Sequence, residues 1–191
     1  MTADLSLNEA ARPAAPRIEG ATEAQRRQGG RLALIHAMYL REMAQTRQLV
    51  DQIEAAETAA AARDGARALA ARLDEMPMLR NLRLFGALCG QHCAHVMAHH
   101  DIEEAHMFPH LDRAAGAGFA PVLAKLRAEH EVIHARLEAL ALAVQEMMQA
   151  PGAAAYGPLK AAFEALYTDM QSHFGYEETE LREALGFYGG V

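Results

Sequence analysis

At 191 residues, 51% apolar and 23% charged, the chain has the length and composition of one soluble domain with a packed core. Its formal net charge of −7 excludes a nucleic-acid backbone as the main partner and disfavours a membrane surface, because both roles show as a basic excess. No apolar run approaches the roughly 18 to 20 residues that span a bilayer, and Asp4 stands where a secretory leader would be basic, so a cytoplasmic protein is expected.

Residues 1–21 carry Pro13 and Pro16 among Ala and Arg with no period, and read as a flexible N-terminal arm. Residues 22–186 read as helical. Thr22 offers an N-cap for a long helix to about Ala62, with Leu32, Ile35, Tyr39, Met43, Leu49 and Ile53 as its apolar positions. Asp64 and Gly65 break it. A short Ala-rich helix from Ala66 to Met76 stops at Pro77. A second long helix runs from about Leu79 to His106, with Leu82, Phe85, Leu88, Val96 and Ile102 as core candidates. Pro109, Gly116 and Gly118 end it.

A third helix spans about Ala120 to Met148, where Leu123, Leu126, Ile133, Leu137, Leu140 and Val144 repeat at steps of three and four. After the Pro151-Gly152 turn, a fourth runs from Ala153 or Pro158 to Ala184 and closes at Gly186. No period-2 run suggests a strand. The expected architecture is all-α: an up-down-up-down four-helix bundle with a short extra helix between the first two long ones. Cys89 and Cys93 are too few for a disulfide framework and read as buried thiols.

Chemistry concentrates in a string that occurs twice: His99 followed at four and five by Glu103 and Glu104, and His173 followed by Glu177 and Glu178. With ten His and eighteen Glu in the chain, random order would give roughly 0.1 copies. Helical residues four apart share a face, so each copy offers an imidazole beside a carboxylate. His36 lies in an apolar run of the first helix, and His130 and His134 lie one turn apart on the third.

Each of these features alone has a plainer explanation. A single His on an apolar face is more often a hydrogen-bonded core residue, and paired Glu are more often a solvated face. Together, buried His and Glu on four helices would all need partners, and one metal centre satisfies them at once. On helix two the stripe of Val96, His99, Ile102 and Glu103 favours His99 over His100. The candidate ligands are His36, His99, Glu103, His130, His134, His173 and Glu177. Five imidazoles over two ions divide three and two, leaving one ion with an open position. Glu104, Glu129 and Glu131 read as solvated, His100, His106 and His110 as surface or helix-end residues, and His95 as a possible supporting residue.

These residues closely resemble the motifs of hemerythrin-like, or HHE cation-binding, domains. The run from His99 through Glu103 and Glu104 to Phe108-Pro109 is similar to the family's second-helix signature. Glu129, His130 and His134 resemble its third-helix motif, and His173 to Glu178 its fourth. His36 stands where the family places a first-helix ligand. The resemblance covers about Arg31 to Leu185. It implies a non-haem di-iron centre, oxo- or hydroxo-bridged, with His36, His99, His130, His134 and His173 as terminal ligands and Glu103 and Glu177 as bridges. Glu178 is the alternative to Glu177, since oxygen carriers of the family place an acid five after the last His. Where His134 does not bind, water, Tyr39 or Tyr167 is the alternative. The implied function is binding, storage or sensing of dioxygen or a related ligand, or alternatively an enzyme consuming hydrogen peroxide or nitric oxide. A ferritin-like oxidase is disfavoured, because that class sets Glu three before His.

Overall fold

The computed structural model describes residues 5–54, 91–149 and 153–190. The expected helix from Ala66 to Met76 and the first part of the second long helix lie outside them. Among the described residues every regular element is helical: α1 (Glu23–Gly29), α2 (Leu32–Glu54), α3 (Gln91–Ile102), a π-helical turn (Glu103–Met107), α4 (Phe108–Ala115), α5 (Ala120–Gln149) and α6 (Ala153–Tyr188), with 3-10 turns at Glu9–Ala11 and Ala117–Phe119.

The chain divides into two compact units. One comprises Met1–Met38, Ala98–Ile133 and Asp169–Val191, and the other Tyr39–Met97 and His134–Thr168. The core of the first unit is built from Leu32, Phe108, Leu111, Phe119, Leu123, Leu126, Leu181 and Leu185. Burying each such side chain contributes about 1.5–3 kcal/mol. The second unit buries Tyr39, Met43, Val96, Leu137, Leu140, Leu159, Phe163 and Leu166. The three- and four-residue steps on α5 and α6 therefore mark buried stripes. Ile35 and Ile102, expected in the core, are exposed instead, Ile102 at 59%.

Three local features depart from the sequence expectation. First, Thr22 does cap a helix: its hydroxyl accepts from the Gln25 amide at 3.2 Å, and the Gln25 side chain accepts from the Thr22 amide at 2.8 Å. That helix stops at Gly29 instead of running on. A Cβ on Gly29 would collide with the Arg182 carbonyl, and one on Gly186 with the Gln25 carbonyl. The two glycines let α1 and the end of α6 touch backbone to backbone, and α2 starts afresh at Leu32.

Second, Pro109 does not end its helix. The Phe108 amide donates to the Glu103 carbonyl, five residues back, and α4 continues to Gly116, whose φ is 77°. Proline has no amide to give, and the wide π turn shifts the register so that Pro109 falls in the first turn of α4, where a donor is not needed.

Third, the stretch read as a loose arm is packed against helices of the first unit. Leu7 and Ala21 are buried. The Tyr176 hydroxyl donates to the Pro13 carbonyl at 2.8 Å, and Lys125 donates to the Leu7 carbonyl.

Candidate metal centre

Among the described residues, the first unit buries eight polar side chains, and seven of them form two groups of close donor atoms. His36, His99, Glu103 and Glu177 make one group, and His100, His130 and His173 the other; all are buried. Of the seven side chains expected from the sequence, six are present. The seventh, His134, is half-buried, belongs to the second unit and is in neither group. His100, expected near a surface, is 1% exposed and completes the second group.

Successive helical residues point about 100° apart, since a turn takes 3.6 residues. That is why His99 and His100 fall in different groups: a single stripe selects one of them, whereas two neighbouring donor groups take one each. His134 shares a face with His130 but sits one turn, about 5.4 Å, further along α5.

The two carboxylates lie between the groups. Glu103 Oε1 is 3.0 Å from His99 Nε2, while its Oε2 is 3.5 Å from His130 Nε2. Glu177 Oε2 is 3.4 Å from His36 Nε2 and 4.0 Å from His173 Nε2. His36 Nε2 and His99 Nε2 are 3.0 Å apart. Two nitrogens at right angles on one ion, each about 2.1 Å from it, would be about 3 Å apart.

The outward nitrogens are held by acids. His36 Nδ1 is 2.9 Å from Glu178, His130 Nδ1 is 2.8 Å from Glu104, and His173 Nδ1 is 3.1 Å from Glu129. An ionised carboxylate only accepts, so each Nδ1 carries the proton and each Nε2 presents a lone pair to the centre. Glu104 and Glu178, expected as a solvated residue and an alternative ligand, thus support histidines on other helices. Glu129, also expected to be solvated, is fully buried.

Electrostatics favour a cation here. Burial pushes the Glu103 carboxyl up to about 8 and raises Glu177 well above the carboxylate range, Glu177 being pushed further by the charge of Glu103. Burial also lowers His36 to about 2, and lowers His99 and His173. A cation among them would favour the ionised carboxylates and bind the neutral imidazoles. Among the described residues, the carboxylate oxygens of Glu103 and Glu177 and the Nε2 of His173 are buried without a hydrogen-bond partner. Such groups are expensive unless something binds them. Imidazole and carboxylate donors suit iron, zinc or copper better than calcium or magnesium.

Residues 35–185 match the family model of the hemerythrin HHE cation binding domain. The chain belongs to that family. The match includes every residue of both groups, so in this hemerythrin-like domain the donor clusters stand inside the region that defines the family. Comparison with curated proteins and with solved structures gives no match. Among the described residues no helix is long and apolar enough to cross a membrane.

Proposed function

We propose that this hemerythrin-like chain holds two iron ions and binds dioxygen or a related small ligand, such as peroxide or nitric oxide, at one of them. His36 and His99 would hold one ion, His100, His130 and His173 the other, with Glu103 and Glu177 reaching both. His100 takes the part the sequence suggested for His134. The reading carries with it an up-down-up-down bundle, since each ligand-bearing helix must present one face to a common centre.

The observation that carries the proposal is the division of five imidazoles into groups of two and three around shared carboxylates. The group with fewer nitrogens leaves more of its ion's coordination to other ligands. When bound, the iron pair would supply redox chemistry and an open coordination position.

The chain's own residues do the rest. The nitrogen lone pairs are oriented from outside by Glu104, Glu129 and Glu178. Phe174 stacks on His36 at 3.9 Å between ring centroids, and Phe108 lies 5.6 Å from His130, so apolar rings keep water from two of the ligand histidines. An apolar lining favours a small uncharged ligand over an ion.

Iron content together with the absorption spectrum tests the proposal. Two irons per chain are expected, with a stable, reversible charge-transfer band when the reduced protein meets air. A protein that purifies and reconstitutes without iron would overturn it. Bleaching with many turnovers of peroxide or nitric oxide would instead identify an enzyme.

A further inference from the structure

Arg12 lies in the N-terminal stretch, outside the family-matched region 35–185, yet it is two hydrogen bonds from a candidate ligand. Its Nε donates to Glu129 Oε1 at 2.8 Å and its Nη2 to Oε2 at 3.0 Å. This two-pronged geometry fixes the plane of the carboxylate, which a point charge would not. The same Glu129 Oε2 faces Nδ1 of His173 at 3.1 Å, and the inner nitrogen of that fully buried ring has no hydrogen-bond partner among the described residues.

The guanidinium is itself fixed on other sides. Nη1 donates to the Ser172 hydroxyl at 2.9 Å, and the group lies 4.8 Å over the Tyr176 ring. Ser172 in turn donates to Glu9, and Lys125 lies 3.4 Å from Glu129.

We infer that Arg12 is a positioning residue of the metal centre: its two-pronged bond orients Glu129, and through it His173, so that the ion held by His100, His130 and His173 depends on a side chain outside the family-matched residues. This rests on the reading of His173 as a ligand. Removing a supporting partner of a ligand histidine typically weakens metal binding 10–100-fold. Arg12 acts through one further residue, so the lower end of that range applies, and it applies to one ion only.

Cobalt(II) titration of the full-length protein tests this, with Arg12→Ala, Arg12→Lys and Tyr176→Phe beside the wild type. Tyr176→Phe removes the hydroxyl that holds Pro13 and leaves Glu129 untouched. Arg12→Ala should weaken the second group's ion about 10-fold and leave the first unchanged. The paramagnetically shifted Nδ1 proton of His173 should exchange faster with solvent. Arg12→Lys should recover part of the affinity, and Tyr176→Phe should match the wild type. Equal weakening of both ions, an Arg12→Ala protein that binds as the wild type, or an equal loss in Tyr176→Phe would overturn the inference while leaving the metal site standing. A wild type that takes up no cobalt would overturn both.

Discussion

The group around His36 and His99 has two imidazoles, whereas the group of His100, His130 and His173 has three. In the second group two histidines have carboxylate supports, Glu104 and Glu129, and Glu129 is clamped by Arg12. In the first, Glu178 supports His36, and it also lines a cleft of about 200 Å³ with Gly29, Gly30, Ala33 and Arg182. The difference teaches a division of labour: with two ions bound as proposed, the three-imidazole group would anchor, and the two-imidazole group, next to the cleft that Glu178 lines, would exchange ligands. On the proposed reading the small ligand enters at the first group.

The largest expected effect comes from removing what the groups share. Glu103→Gln keeps the shape and removes the charge of a carboxylate that faces His99 with one oxygen and His130 with the other. Both ions should be lost, and metal analysis should give less than one per chain. The metal-free variant should nevertheless be more stable than the metal-free wild type at pH about 8, because a buried carboxylate no longer has to hold a proton there. Urea unfolding measures this. A variant that keeps one tightly bound ion would show that the two groups do not share Glu103.

A pair of substitutions separates the groups next. His100→Ala should release the second group's ion while the first is retained, and His134→Ala should leave metal content unchanged. The reverse result would restore the assignment that the sequence alone suggests.

The pH dependence of stability follows from the raised acids and lowered imidazoles of the metal-free protein. Glu103, raised from 4.5 to about 8, stabilises the fold fully below its unfolded value and loses that contribution as pH rises through its folded one. Glu177 has the same sign. His36, lowered from 6.5 to about 2, is neutral in the fold but takes a proton in the unfolded chain, so its effect is to cost stability as pH falls below 6.5. His99 and His173 act alike. Glu129, lowered from 4.5 to about 2, adds a loss as pH falls from 4.5 toward 2. Metal-free protein should therefore lose stability from pH 6.5 up to about 8 and again in acid. Bound metal should flatten the alkaline limb, because the acids are then ionised in the fold as well. Chemical denaturation across that range, with and without metal, gives the slopes.

Much of this was legible from spacing. The helical class, the Thr22 cap and six of the donor side chains follow from three- and four-residue steps. His100 escaped because a stripe argument admits one residue per turn, and two neighbouring centres need residues on either side of the stripe. The supports Glu104 and Glu178 directly follow Glu103 and Glu177 in sequence, so Glu104 reads as a solvated neighbour and Glu178 as an alternative ligand. The signal available was that every ligating imidazole needs an acceptor for its other nitrogen. Arg12 and Glu129 are 117 positions apart, and no local pattern joins them. Pro109 read as a stop because a π turn leaves no trace in hydrophobic periodicity.

The smallest effects belong to those supports, and they sharpen the contrast most. Glu104→Gln should weaken only the second group's ion and Glu178→Gln only the first's, each about 10-fold. An amide can still accept from the histidine, so the ring stays oriented and what is lost is the charge that makes its Nε2 more basic. The two variants should differ in a second respect. Glu178 lines the cleft and Glu104 does not, so Glu178→Gln should also change the rate at which a small ligand enters, measured by stopped-flow on the reduced protein. Equal entry rates in both variants would move the point of entry away from the first group.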